Sequence, residues 1–233
     1  MNLDWTAYLP ETISHEQVGF ANDYTDAVNL IDQSKKQAVI VCMKNVPFER
    51  NKNHHISAIL PIQNRSFYLH CQAETKNLSL LGASQTIQYT HDNIPSYIRD
   101  FNSQVKLQKQ INPAEPYEYL ISLDSKEGSI ELNPNEFIPP TGEGIYAIIC
   151  AKENMELRKK LFTIHDEQAM VVSNLQRSIL KKNIHLDITG VYVYYDTNGN
   201  IHGSMAYIDK ELHYVSYSQS TSHEFVTNFL RQM

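Results

Sequence analysis

Two triplets place an imidazole and a hydroxyl close together in the chain: His55-Ile56-Ser57 and His202-Gly203-Ser204. Both fall in runs that read as strands. Imidazole titrates near neutral pH and is the side chain most often used as general acid or base. The remaining histidines, ten in all, offer less. His54 and His55 are adjacent, so in a strand they point to opposite faces and do not converge on one ion. The sequence has no HExxH motif and no cysteine pair with zinc spacing, so no metal site is expected. His70 precedes Cys71 directly, and strand neighbours face apart, so His70 is not placed to activate that thiol. Cys42, Cys71 and Cys150 are odd in number and sit in apolar runs, which reads as reduced, buried thiols.

The two triplets partly resemble the paired H-x-[ST] motifs of the 2H phosphoesterase family. That resemblance implies a phosphodiester held between His55 and His202, acting as acid and base, with Ser57 and Ser204 beside them. The family sets its triplets inside apolar strands of two symmetric lobes; here the second closely follows an Asn-Gly turn and has glycine at its centre. A second partial resemblance lies at Asn77-Leu78-Ser79-Leu80-Leu81-Gly82, which fits the [DN]-x-S-x-x-G signature of PilZ domains that bind cyclic di-GMP. HHISAILPI before it is similar to the strand that opens such a domain. The resemblance implies a nucleotide site at Asn77, Ser79 and Gly82. The arginine pair that clamps the ligand in that family is missing, since Arg50 stands alone with His54 four residues on. The G-x-G of Gly142 and Gly144 lacks the further glycines and the lysine of a nucleotide loop.

The elements that must carry these residues are α+β. Ile188 to Ser218 reads as a three-stranded meander followed by a closing helix. Asn198-Gly199 predicts a type I′ hairpin turn, which sets Tyr194 opposite Gly203, Tyr195 opposite His202 and Val191 opposite Ala206. The spacing of Val18, Ala21, Tyr24, Val28 and Ile31 predicts a helix over 14–35, with Ser14 and Gln17 as its capping box. Strands are expected at 37–43, 55–62, 66–73, 117–124, 129–133 and 144–151. A helix is expected from Ile94 to about Gln110, and 153–178 reads as a helix broken near Ile164-His165, with Asp166 able to cap its second part. Thr221 and Glu224 read as a capping box for the last helix. INPAEP, residues 111–116, is the candidate linker between an N-terminal lobe, 1–112, and an acidic C-terminal lobe, 113–233; the two lobes form one continuous domain if that linker is not a true boundary.

Composition narrows the function. The chain has 233 residues, 42% hydrophobic and 20% charged, which is ordinary for a folded protein. Its net charge of −6 arises in the second half, where residues 111–233 hold 16 acidic and 10 basic side chains. An acidic surface repels phosphate, so nucleic acid is not expected as a partner. No apolar run approaches the length of a membrane span, so no direct insertion is expected. The N-terminal sequence has no basic and apolar signal pattern, which reads as cytoplasmic. Nine of the fourteen tyrosines lie between Tyr117 and Tyr217, and Tyr192, Tyr194, Tyr195 and Tyr207 read as an interaction surface. The expectation is a non-catalytic protein-protein interaction protein, an adaptor or structural subunit of a larger bacterial cytoplasmic assembly with a secretion-related role as one setting, and no cofactor. The alternative is a phosphoesterase-like or PilZ-like nucleotide-responsive effector.

Overall fold

The unbroken apolar run Ala38-Val39-Ile40-Val41-Cys42 becomes strand β2 (Ala38–Cys42), buried at every position. A strand with this pattern needs cover on both faces, and it has it. In the computed structural model, which describes residues 9–60, 66–73 and 75–233, β2 lies between β1 (Val18–Ala21), parallel to it, and β9 (Tyr146–Ala151), antiparallel. β3 (His54–Ile59) pairs with the other edge of β9. Val39 and Val41 enter one core and Ala38 and Ile40 the opposite one.

Helix α1 (Tyr24–Asp32) joins the parallel pair β1 and β2, and the Asp23 carboxylate accepts the Asp26 amide at its start. The helix expected over 14–35 is therefore shorter than the spacing predicts. Ser14 instead caps a 3-10 turn, His15–Gln17, and Val18–Ala21 is a strand. Val18 and Ala21 continue the helical spacing, but their partners are Ala38 and Val41, which no local pattern reveals.

A second sheet has the order β6-β5-β7-β4-β8. Its strands are β4 (Tyr68–Cys71), β5 (Thr86–Tyr89), β6 (Lys106–Lys109), β7 (Tyr119–Ser122) and β8 (Ile130–Glu131). Helix α2 (Ile94–Phe101) connects the parallel neighbours β5 and β6. The helix expected to reach Gln110 stops at Phe101 because Asn102 turns extended, and its side-chain amide donates to the carbonyls of Leu78 and Leu81 at 2.8 and 3.0 Å. The boundary expected at 112/113 falls between β6 and β7 of this one sheet, and β9 is inserted between β2 and β3. The four- and five-stranded sheets thus both draw strands from either side of it. The end of the strand expected over 55–62, residues 61 and 62, lies outside the described residues.

Helices α3 (Met155–Phe162) and α4 (Glu167–Lys182) break where the sequence indicates, and Asp166 accepts the Ala169 amide to start α4. The meander follows as β10 (Asp187–Tyr195), β11 (Ile201–Asp209) and β12 (Glu211–Gln219). Its register differs by one residue from the expected one. Tyr194 pairs with His202, Tyr195 with Ile201 and Val191 with Met205. Gly199 alone of the Asn-Gly pair has positive φ, at 82°, and the Asp196 amide bonds to the Asn200 carbonyl at 2.9 Å. Three residues therefore form the loop, ending in a glycine bulge, instead of two. Helix α5 (Phe225–Leu230) follows Glu224, which is left-handed at φ 54° and makes no side-chain cap, so the expected capping box is not formed.

The meander serves two cores. Val191, Val193, Ile201, Met205 and Val215 face the four-stranded sheet, α4 and α5, while Ala206, with Tyr192 and Leu212, faces the five-stranded sheet and α2. Gly203 is required on the first face, where a Cβ would lie 2.9 Å from Phe225. Gly190 is required on the second, where a Cβ would lie 2.6 Å from the Pro139 carbonyl oxygen. That oxygen belongs to backbone and has no flexible end to move aside. Gly190→Ala should lower unfolding stability by about 1–3 kcal/mol, the usual range for overpacking. Gly128→Ala, in open space at φ +78°, should cost less, about 1 kcal/mol. Urea midpoints that rank the two variants the other way would contradict this placement of β10.

Candidate functional site

Three cavities hold all but one of the candidate site residues proper, and they divide them differently from the sequence patterns. The largest, a groove of about 890 Å³, is bounded by the 3-10 turn Leu78–Leu80, α2, β8, the 133–137 segment and β12. Leu69, Leu78, Tyr97, Phe101, Ile130, Leu132 and Phe137 make it apolar. Tyr97 is held by its hydroxyl, which donates to the Ile138 carbonyl at 2.8 Å, and burial pushes its pKa up to about 12. Asp100, Glu136 and Lys76 are the charged members of its lining. Burial first, and then Asp100, Tyr97 and Glu136, raise the pKa of Tyr214 at the same wall.

Asn77 and Ser79 of the PilZ-like motif line this groove, but their polar atoms are used locally. Asn77 Oδ1 accepts from the Ser79 amide and from Ser79 Oγ at 3.0 and 2.7 Å, which caps the 3-10 turn. The Gly82 amide donates to Gln85 Oε1 at 2.7 Å. The signature here builds a turn.

A second cavity, about 580 Å³, lies on the meander and is lined by Tyr194, His202, Ser204, Ser216, Ser218 and neighbours. The His202 ring stacks on Tyr194 at 5.0 Å and 15°, and its Nε2 lies 3.1 Å from Asp196 Oδ2. Ser204 Oγ donates to Asn135 Oδ1 at 2.6 Å. The Asp196 carboxylate closes the hairpin: Oδ1 accepts the amides of Asn198 and Asn200, each at 2.8 Å, and Oδ2 accepts the Asn200 side chain.

The third cavity, also about 580 Å³, opens between the loop after β2, β3 and α4. It contains His54, His55, Ser57 and His165 together with Arg50 and Arg177. Ser57 Oγ lies 3.5 Å from His55 Nδ1 and 3.1 Å from Cys150 Sγ. Burial lowers the His55 pKa, and so do Arg158, Arg50 and Lys152. His54 Nε2 is 2.9 Å from Asp32 Oδ1. His165 Nδ1 accepts the Ile59 amide at 2.9 Å, which puts the proton of the neutral ring on Nε2.

The two H-x-S triplets line separate cavities, so they do not form one two-histidine site. The four tyrosines do not form one patch either. Tyr192 and Tyr194 share one face of the meander, 5.2 Å apart, whereas Tyr195 and Tyr207 pack on the core of the other face. The sequence reading missed Arg50, Arg177 and His165 as companions of His55. Met170, Asn174 and Arg177 recur at helical spacing on one face of α4, which was the available signal. Among the described residues no cluster suited to a metal ion occurs, and no helix is long and apolar enough to cross a membrane.

No family model matches the chain. No curated protein matches it at a significant level. Among the solved structures that match the chain are the following two. YhfZ from Shigella flexneri aligns at a TM-score of 0.35 and 10% identity, over 67% of this chain and 78% of that one. The second substrate binding domain assigned to an amino acid ABC transporter from Streptococcus pneumoniae Canada MDR_19A aligns at 0.37 and 10%, over 69% and 73%. Likeness at these scores carries no conclusion about this chain.

Two outcomes follow from the local chemistry. Hydrogen bonds from the Asn200 side chain and His202, with those of the Asn198 and Asn200 amides, hold the Asp196 carboxyl well below the usual carboxylate range. Its stabilisation of the hairpin is therefore complete above the ordinary value of about 3.9 and is lost as pH falls through the lower folded value. Carbon-13 titration should show Asp196 still ionised at about pH 3; a midpoint near 3.9 would contradict the hydrogen-bonded loop. Burial pushes the Cys42 thiol up to about 11 and raises Cys150 as well. A thiol reagent should thus spare both in the native protein and label all three free cysteines only after unfolding.

Proposed function

We propose that this chain is a non-catalytic binding protein, an adaptor or structural subunit, that seats an apolar segment of another protein in the groove beside α2. The observation that carries this reading is the groove itself, an open apolar trough of about 890 Å³. Its aromatic wall remains in contact with solvent, with Phe101 41% and Tyr214 42% exposed. Contiguous apolar surface of this kind is costly to leave bare and marks a place where something binds.

The wall is preorganised for that role. Phe101 and Phe137 meet edge to face at 5.7 Å, Tyr97 and Phe137 at 5.8 Å, and Tyr214 stacks on Tyr97 at 6.4 Å. Tyr214 is also tethered by its hydroxyl, which donates to the Glu136 carbonyl at 3.1 Å. Rings locked in this way lose little freedom on binding, so more of the contact energy appears as affinity. The carboxylates of Asp100 and Glu136 outnumber the single lysine in the lining, and the C-terminal half carries the acidic excess. The segment that fits is apolar with a lysine or arginine beside its hydrophobic residues.

Selection from a displayed peptide library on the purified full chain tests this. Recovered peptides should share apolar positions flanked by basic residues. Phe101→Ser, at a partly exposed position, should weaken the best of them by roughly tenfold or more, as expected of an aromatic anchor, while the protein still unfolds in one cooperative transition, its midpoint lowered only by the loss of one aromatic pair. Peptides that bind equally well to Phe101→Ser and to Asp100→Asn, or no recovered peptide at all, would overturn the assignment.

A further inference from the structure

The cavity between the loop after β2, β3 and α4 is the chemical opposite of the groove. Arg50, His54, His55, His165 and Arg177 line it, and none of its lining residues is acidic, in a chain whose net charge is −6. Among the described residues the carboxylate paired with any of these five is Asp32, on the buried His54. Arg50 is exposed and has no hydrogen-bonded or ionic partner among the described residues.

The cations act on one another. His55 is disfavoured as a cation by burial and then by Arg158, Arg50 and Lys152, and Arg177 by burial and then by Arg50. Arg50 and Arg177 are like charges in a partly buried cleft and raise each other's energy, and a bound anion relieves both.

Arg177 also has a structural duty, since it donates to the carbonyls of Val46 and Pro47 at 2.6 and 2.7 Å and lies 4.7 Å over the Phe48 ring. A guanidinium has five donors, so two bonds to the loop do not exhaust it. They fix its plane. His165, its Nδ1 occupied by the Ile59 amide, presents Nε2–H as a donor. Its ring is stacked at 5.4 Å and 20° on Phe162, which is 64% exposed. An exposed phenylalanine lying flat on an imidazole at the edge of a cationic cleft is a platform for a planar ring.

We propose that this cleft binds a phosphate monoester bearing a planar ring, of the nucleoside monophosphate class. The phosphate lies between Arg50 and Arg177 with His55 and His165 beside it, and the ring rests on Phe162. A volume of about 580 Å³ falls within the ordinary range for such ligands. The site is separate from the apolar groove, and its occupancy does not depend on the groove's role.

Isothermal titration of the full chain at neutral pH with AMP, GMP, CMP and UMP, with inorganic phosphate, and with adenosine tests it. At least one nucleotide should bind saturably and more tightly than inorganic phosphate, and adenosine should not bind. Arg50→Ala should weaken nucleotide and phosphate alike by about tenfold, the loss of one charge-assisted contact. Phe162→Ala should weaken the nucleotide and leave phosphate unchanged. Both side chains are exposed, and an unchanged melting temperature will show that the variants fold. The assignment is overturned if none of the four nucleotides binds below about 10 mM, if adenosine binds as tightly as AMP, or if Arg50→Ala leaves the affinity unaltered. A nucleotide no tighter than phosphate would overturn the placement of the ring.

Discussion

The Ile138 carbonyl accepts the Tyr97 hydroxyl at 2.8 Å and the Asn93 side-chain amide at 3.1 Å, and the rest of the structure depends on this junction. The segment around it has no regular secondary structure yet runs buried between the two large cores. Buried backbone polar groups need partners, and here side chains from neighbouring elements supply them. The same Asn93 amide reaches the Thr189 carbonyl, Thr141 Oγ1 accepts the Val191 amide, and Gln176 Oε1 accepts the Gly142 amide. Each bond contributes only about 0.5–1.5 kcal/mol net, but leaving such groups unmade would cost more. Together they join α2, the 133–142 segment, α4 and β10. Asn135, Glu136 and Phe137 of that segment also form one wall of the groove.

The molecule separates its surface chemistry by location. The groove pairs apolar walls with two carboxylates, whereas the cleft beside β3 gathers guanidinium and imidazole groups without a carboxylate in its lining. The net charge of the chain conceals this division. An overall acidic protein repels anions at long range, but within a Debye length of about 8 Å the local cluster decides what is attracted. The reading that phosphate is disfavoured by net charge therefore applies to extended polyanions and not to a small ligand inside the cleft.

Much of the fold was legible in the sequence where patterns are local. The meander, the buried strands β2 and β9, the break before α4 and its Asp166 cap all follow from apolar runs, turn residues and capping chemistry. What failed was non-local. Val18 and Lys106 lie in strands paired in parallel with segments some twenty residues away, so helical spacing ran through both. The Asn-Gly pair located the hairpin but not its register, because Asp196 closes a loop of three residues and shifts the cross-strand pairs from Gly190 to Tyr195 by one. The candidate sites were misassembled for the same reason. His55 and His202 share a motif but line different cavities, while His55 and Arg177, more than a hundred residues apart, line the same one.

The two-faced meander has an evolutionary corollary. A sheet that is polar on one side can be detached and carried into a new protein with little penalty, whereas this one would bring a greasy surface with it whichever way it was cut. Insertions can lengthen the loops at Gly128 or Gly199, where no neighbour intrudes within 4 Å. Dividing the chain within the meander would bare the faces of Val193 and Met205 on one side and of Tyr192 and Ala206 on the other, so the sheet is bound to both cores at once.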